Sequence, residues 1–208
     1  MSQILPRLPW ESPYGTRAKE DPFGLFTVWH VEASSGTDEP SVGFLATATR
    51  RGAPSCRPVM LKEYSENGFD ICTNTHSRKC KDIQGNPQAA LCFYWPSIQK
   101  QIRIEGYTAD MPDEKLDAHF AGAPAKVKIG AWASRQSEPL QDQGELLRGI
   151  AQHTARWAAG GVKRPPHWGG IRIVPDYFEF RQETGLRIPQ RKVFYLREDA
   201  WYVTLLYP

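Results

Sequence analysis

The sequence predicts a mainly β protein with α-helices (an α+β fold), in which an antiparallel barrel carries flanking helices. Two observations lead to this prediction. Short runs of β-branched and aromatic residues follow one another with turn residues between them, as in successive β-hairpins. Longer segments with helical periodicity lie between these runs and towards both ends of the chain. Hairpin succession with helices at the flanks favours a closed antiparallel barrel.

The composition is that of one globular domain preceded by a short arm. The chain has 208 residues, of which 40% are hydrophobic, including seven Trp, eight Tyr and nine Phe. This is enough apolar material for a substantial core. The formal net charge of +3 is too small to indicate a nucleic-acid-binding protein. We expect residues 1–20, with three prolines and little periodicity, to form a flexible arm, and residues 21–208 to form a single domain.

The chain lacks the sequence features of membrane and secreted proteins. It contains no run of about 18 apolar residues, the length that a membrane-spanning helix needs, and its N-terminal segment lacks the apolar core of a signal peptide. The four cysteines show neither a CxxC motif nor a zinc-ligand spacing. We therefore expect a cytoplasmic protein with reduced cysteines and no metal site.

The first half of the chain is predicted to alternate strands with two helices. In the first helix, Phe23, Phe26 and Trp29 fall on one apolar face. The turn before residue 69 is indicated by Ser65 and Gly68, since glycine tolerates positive φ. In chain order we predict a helix at 21–33, strands at 41–49, 57–64 and 69–73, a short basic helix at 77–85, and strands at 89–95 and 101–106.

The second half is predicted to begin with helices and to end with strands. Acidic residues in the first turn of the helix at 112–121 suit the positive end of its dipole. Gly160 and Gly161 mark the end of the longest helix. In chain order we predict helices at 112–121, 125–134 and 140–159, and strands at 168–175, 177–182, 192–197 and 201–206.

The segment between the third strand and the basic helix has the chemistry of a phosphate site. Thr73 or Ser77 could cap the helix and leave backbone N–H groups free beside Arg78 and Lys79. Free N–H donors, a helix dipole and two cations are what a phosphate group requires. The more usual interpretation of such a segment is a capped surface helix with solvated charges. The residues alone leave both interpretations open.

A series of motifs in register resembles the pyridoxamine 5′-phosphate oxidase family. The similarity runs from about residue 21 to residue 208, nearly the whole chain. It implies an FMN-binding split β-barrel with flanking helices, assembled as a homodimer with two flavin sites at the subunit interface. The motifs are RxxxLK at 57–62, TNxxSRKxK at 73–81, NPxAxLxFYW at 86–95, QxRxEG at 101–106, IGAWASRQS at 129–137, WGGxRxxP at 168–175 and a Glu-Phe pair at 179–180.

The resemblance implies a nearly complete site for flavin mononucleotide (FMN). Arg57, Arg78 and Lys79 would hold its phosphate, because two guanidinium groups and an ammonium group suit a dianion. One departure is Arg181, which stands where the family has Trp and replaces an aromatic wall by a cation. The implied cofactor-binding residues are Arg57, Pro58, Val59, Met60, Cys72, Thr73, Arg78, Lys79, Gln101, Gln136, Ser137, Arg181 and Arg191.

The implied substrate site departs from the family at most positions. Loss of an Arg and two hydroxyl groups removes several charge-assisted hydrogen bonds to a substrate phosphate, each contributing roughly 1.5–3 kcal/mol. His119 could replace one of them only when protonated. Arg187 is the implied catalytic residue on the substrate face of the flavin. Lys62 and Arg187 are retained, whereas His119, Ala123 and Val127 replace Tyr, Arg and Ser, and Pro189 replaces a His.

These features favour an FMN-dependent oxidase that acts on a different, non-phosphorylated substrate, as the phenazine-pathway oxidases of this family illustrate. A hydride would pass from a substrate carbon to flavin N5, with O₂ as the electron acceptor. One alternative is a divergent pyridoxamine/pyridoxine 5′-phosphate oxidase that holds the phosphate through Lys62, Arg187 and the arm. The other is a non-catalytic protein that binds flavin or pyridoxal 5′-phosphate.

Overall fold

The computed structural model describes residues 14–36, 39–158, 162–183, 185 and 188–208. Three parts of the sequence predictions lie outside these residues, namely the implied catalytic residue Arg187, residues 1–13 of the expected arm, and residues 159–161, where the longest helix is predicted to end. The domain boundary expected at residue 20 stays a prediction.

The described residues form nine strands, five α-helices and one short 3₁₀ turn at Pro96–Ile98. None of these helices is long and apolar enough to cross a membrane. The strands are β1 (Thr16–Arg17), β2 (Val42–Ala48), β3 (Pro54–Ser65), β4 (Gly68–Asn74), β5 (Gln88–Trp95), β6 (Lys100–Asp110), β7 (Trp168–Gln182), β8 (Gln190–Arg197) and β9 (Ala200–Leu206). The helices are α1 (Pro22–Ser34), α2 (Arg78–Gly85), α3 (Asp113–Gly122), α4 (Ala125–Ala133) and α5 (Gln143–Ala158).

Strand pairing builds a barrel with additional strands. The order along the sheet is β1-β9-β8-β7-β4-β3-β2-β5-β6, and β7 pairs a second time, with β6. This second pairing closes six of the strands into an antiparallel barrel, which removes the free edges of those strands. The predicted fold class, mainly β with flanking helices, is confirmed.

The chain divides into two compact units, each with its own buried side chains. The first contains the described residues of 1–44, 90–106 and 175–208. Its centre is aromatic, with Phe26 and Phe93 ring centroids 5.4 Å apart and Trp29 meeting Phe180 edge-on at 5.2 Å. Helix α1 begins here because the carboxylate of Asp21 accepts hydrogen bonds from the first-turn N–H groups.

The second unit contains residues 45–89 and the described residues of 107–174. Helix α3 packs on the sheet here through a buried cluster of Met111, Leu116, Phe120 and Trp168, against which Cys72 also packs. The contact is close at one strand residue of β7. A Cβ atom at Gly170 would collide with Met111 Sδ and lie 2.9 Å from Leu116 Cδ2. A methyl group at this position would force the Met111 and Leu116 side chains to move.

Two elements differ from the sequence prediction. The two strands predicted at 168–175 and 177–182 form one continuous strand, β7. Its first part pairs with β4 as far as Ile173 and its last part pairs with β8 from Tyr177, so Pro175, which has no N–H, interrupts neither ladder. Strand β1 was not predicted, because only Thr16 and Arg17 pair with β9 and so short a segment has no recognisable alternation.

Candidate functional site

A buried lysine lies at the start of helix α2. Lys79 as a residue is 8% exposed, and its ammonium group donates to Thr73 Oγ1 at 2.8 Å, to Ser77 Oγ at 3.1 Å and to Gln136 Oε1 at 3.1 Å. Burial lowers the pKa of Lys79. Within the part of the chain that the structure describes, no carboxylate forms an ion pair with it. A buried charge with only neutral partners is unfavourable, and an external anion would compensate it.

The N-terminus of α2 remains open beside this lysine. Ser77 stands at the N-cap position but makes no side-chain capping bond. Its hydroxyl group is directed instead towards Lys79 and the Cys80 thiol. The exposed Arg78 is the first residue of the helix. Uncapped N–H groups, the positive end of the helix dipole and two cations are a combination that favours a bound anion.

The third predicted phosphate ligand, Arg57 on β3, is held by internal partners. Its Nη1 donates to Leu45 O at 3.1 Å and to Thr47 Oγ1 at 2.8 Å, and its Nη2 lies 3.9 Å from Asp82 Oδ2. Burial lowers the pKa of Arg57, the Asp82 carboxylate opposes this effect, and the charge of Arg78 adds to it. The three cations therefore lie within electrostatic range, with Arg57 partly neutralised.

Gln136 joins α4 and its following turn to this cation cluster, since its Oε1 also lies 3.4 Å from Thr73 Oγ1. The next residue, Ser137, is exposed and has a left-handed backbone conformation (φ 71°). Both residues line a cleft of about 750 Å³ between the end of α4 and α5. The structure thus brings Thr73, Lys79 and Gln136 into direct contact, as one site requires.

Further implied cofactor-binding residues lie on β3 and β4. Pro58 and Met60 are exposed, and Val59 is half-buried. Burial raises the pKa of the Cys72 thiol to about 11, while the positive charge of Lys62 acts in the opposite direction. Lys62 therefore lies near Cys72, so a predicted substrate residue and a predicted cofactor residue are neighbours on these strands. The thiol stays protonated at neutral pH.

The predicted substrate positions on α3 and α4 offer few donors for an anion. His119 Nε2 lies 3.7 Å from Glu63 Oε2, so the imidazole already faces a carboxylate. Ala123 ends α3, and Val127, in the first turn of α4, is 42% exposed. Lys128, the neighbouring cation, donates to Ala121 O at 2.6 Å and lies over the Trp157 ring.

Four further predicted positions belong to the first unit. Gln101 on β6 and Pro189 before β8 are half-buried. Arg181 pairs with Glu183 at 2.6 Å. Arg191 donates from Nε to Glu179 Oε1 at 2.8 Å and from Nη1 to Tyr207 O at 2.9 Å.

Sequence reasoning missed the carboxylates that hold these basic groups. Glu179 is buried and pairs with Arg103 at 3.0 Å as well as with Arg191. Glu63 contacts Lys115 and His119. Glu63 follows the predicted substrate residue Lys62 in the sequence. This was only a weak signal for Glu63, because the direction of its side chain depends on strand register.

Comparison with known proteins identifies relatives over nearly the whole chain. The sequence profile of pyridoxamine 5′-phosphate oxidase matches residues 31–156, and that of the pyridoxine 5′-phosphate oxidase C-terminal dimerisation region matches residues 168–208. Pyridoxine/pyridoxamine 5′-phosphate oxidase from Rhodospirillum rubrum is 43% identical over 194 residues, covering 90% of this chain and 96% of the relative. The enzyme of that name from Anaeromyxobacter dehalogenans is 40% identical over 197 residues, covering 94% and 100%.

Solved structures agree with this assignment. PhzG from Burkholderia lata 383, in complex with tetrahydrophenazine-1-carboxylic acid, superposes with a TM-score of 0.86 at 28% identity, covering 90% of this chain and 93% of PhzG. A pyridoxamine 5′-phosphate oxidase-related, FMN-binding protein from Nostoc punctiforme shares the fold, with a TM-score of 0.72 at 15% identity and coverage of 92% and 100%. Because both profiles match in chain order and the relatives align over almost their full length, this chain belongs to the pyridoxamine 5′-phosphate oxidase family.

Proposed function

We propose that this protein is an FMN-dependent oxidase that acts on a non-phosphorylated substrate. The observation that carries the cofactor assignment is the buried Lys79 ammonium group, whose three hydrogen-bond partners are neutral oxygen atoms. Its charge, the exposed Arg78 and the open end of α2 suit the phosphate of FMN. The family relationship supports the same cofactor.

The roles of the remaining residues follow from their positions. Arg57, Lys79 and Arg78 would hold the cofactor phosphate, with Thr73 and Gln136 orienting the lysine. Bound FMN would supply a ring N5 that accepts a hydride from a substrate carbon and would pass the electrons to O₂. Met60 and the neutral Cys72 would border the ring, and Lys62 would direct its charge towards the substrate side. Arg187 is the proposed catalytic residue.

The substrate assignment is supported by the loss of phosphate ligands at positions 119, 123 and 127, although Lys62 is retained. Ala123 and Val127 have apolar side chains, Lys128 is engaged with Ala121 O and the Trp157 ring, and His119 faces the Glu63 carboxylate. PhzG, at 28% identity, binds a tricyclic carboxylic acid that has no phosphate. A related fold therefore accommodates a ligand of this class.

A second candidate is oxidation of pyridoxine 5′-phosphate or pyridoxamine 5′-phosphate. The observation in its favour is the 43% identity to a protein of that name over 90% of the chain. In this case Lys62 would hold the substrate phosphate, together with Arg187 and the N-terminal arm.

Steady-state oxidation of pyridoxine 5′-phosphate and of pyridoxine distinguishes the two candidates. We expect kcat/KM for the phosphorylated compound to be low, roughly 10²-fold below an efficient oxidase, if about 3 kcal/mol of phosphate binding is lost. The variant Ala123→Arg with Val127→Ser should regain part of this activity. A matched Ala121→Arg change, on the exposed surface of α3, serves as the control. Efficient turnover of pyridoxine 5′-phosphate by the unmodified protein would establish the second candidate instead.

A further inference from the structure

The β3–β4 hairpin contains a bulge at a proposed substrate residue. Leu61 pairs with Ile71, but the next pair along the ladder is Glu63 with Asp70, so Lys62 is an additional residue on β3. A bulge of this kind redirects the side chains that follow it and is frequent beside active sites. The register shift therefore determines which face of the hairpin Glu63 occupies.

The bulge places two carboxylates on the face that α3 covers. Directly opposed residues of an antiparallel pair share a face, so Glu63 lies beside Asp70, and like charges in this arrangement repel. Lys115 of α3 compensates them, because its Nζ lies 2.8 Å from Glu63 Oε1 and 3.6 Å from Asp70 Oδ2. Arg172 adds a bidentate contact to Asp70, with both distances 2.7 Å. Lys115 meets Glu63 on the Oε1 side, whereas Oε2 is directed towards His119.

The second oxygen of Glu63 approaches a proposed substrate position. It lies 3.7 Å from His119 Nε2, the one group among Ala123, Val127 and His119 that could bind an anion. A phosphate group beside His119 would lie close to the Glu63 carboxylate, and the two negatively charged groups would repel each other. Introducing a repulsive group is an effective way to discriminate between similar ligands.

We propose that Glu63 is a specificity-determining residue that rejects a dianionic phosphate beside His119 and admits uncharged or singly charged substrates. This inference rests on the proposed function, since it assigns His119 to the substrate side of the site. It differs from the loss of ligands at Ala123 and Val127, because it requires repulsion and not only missing attraction.

The variant Glu63→Gln tests the proposal through substrate preference. The amide keeps the size of the side chain and an acceptor for Lys115 but removes the negative charge. We expect the ratio of kcat/KM for pyridoxine 5′-phosphate to that for pyridoxine to rise about tenfold, the effect of one nearby charge in a partly hydrated site. Glu63→Asp should retain the original ratio. Glu66→Gln, an exposed residue in the turn of the same hairpin, is the matched control.

A binding measurement keeps the test independent of turnover. Binding of pyridoxal 5′-phosphate and of pyridoxal is measured by calorimetric titration of the purified protein. In Glu63→Gln, pyridoxal 5′-phosphate should bind more tightly than it does to the unmodified protein, whereas the affinity for pyridoxal should stay the same. A ratio of affinities unchanged from the unmodified protein, in a Glu63→Gln variant of unchanged melting temperature, overturns the role of Glu63. Efficient oxidation of pyridoxine 5′-phosphate by the unmodified protein would refute the proposed function, and the affinity ratio would still decide the role of Glu63.

Discussion

Lys79 carries a positive charge into a site whose described polar contacts are hydroxyl and amide oxygens. Such a charge destabilises the isolated protein, because water would solvate the ammonium group better than three neutral acceptors do. The same charge would stabilise a bound phosphate strongly, since the site is already desolvated and oriented. Folding stability and anion affinity should therefore respond in opposite directions when this residue changes.

Lys79→Met tests that opposition. We expect flavin affinity to fall by about 10–100-fold, equivalent to one charge-assisted hydrogen bond of ~1.5–3 kcal/mol. The free energy of unfolding of the flavin-free protein should be maintained or increased, because a buried charge is removed. Fluorescence titration with FMN and urea denaturation measure the two quantities. Lys81→Met, an exposed lysine of the same helix, is the control. Unchanged FMN affinity in Lys79→Met would remove the phosphate assignment.

How far the site could be predicted from sequence depends on how local each contact is. The cation cluster could be predicted from the sequence, because Thr73, Ser77 and Lys79 lie within seven residues of one another, around one predicted helix start. Neither predicted cap forms, however, since both hydroxyl groups turn towards the lysine. The role of Glu63 could not be predicted from the sequence. Its position depends on a one-residue shift in strand register, which period-two alternation does not reveal.

At the scale of elements, hairpins and helices were predictable because their boundaries carry turn and capping residues. The strand prediction failed where a proline suggested a break. Pro175 lies in β7 between the residues that pair with β4 and those that pair with β8. The sequence alone does not indicate which strand is the partner at each point. Proline therefore marked a change of partner and not the end of a strand.

Gly170→Ala tests the close approach of α3 to β7. The added methyl group would collide with Met111 Sδ and press on Leu116, so we expect a loss of about 1–3 kcal/mol in the free energy of unfolding. Because α3 carries His119, the substrate KM should change more than the FMN affinity. Gly122→Ala, where a Cβ atom meets no described atom within 4 Å, is the control. Equal stability of the two variants would show that α3 adjusts freely at this contact.

At the scale of the whole molecule, the C-terminal region is expected to pair subunits. Residues 168–208 match the family's dimerisation region, and within it Leu205 is 67% exposed and Tyr207 is 94% exposed in the single chain. Large apolar side chains exposed to this extent are typical of surfaces that become covered in an oligomer.

We predict a homodimer whose dissociation releases flavin. Sedimentation of the unmodified protein should give a dimer, and dilution to monomer should lower flavin occupancy, because contacts to each flavin are expected from both chains. Leu205→Glu should weaken the dimer by placing a charge in an apolar contact. Leu147→Glu, on α5 and 64% exposed, provides a comparable change outside the dimerisation region at 168–208. A monomer with full flavin occupancy would contradict the shared site.

Strand β1 pairs Thr16 with Val203 and Arg17 with Tyr202, so it joins residues separated by almost the full length of the chain. Such a contact closes a very long loop for only two ladder pairs, and it is expected to form late in folding and to open without disturbing the β8–β9 hairpin. The β1–β9 pairing is therefore expected to have low local stability. Amide hydrogen exchange at Ala18, which donates to Trp201 O, would report its opening far below the free energy of global unfolding.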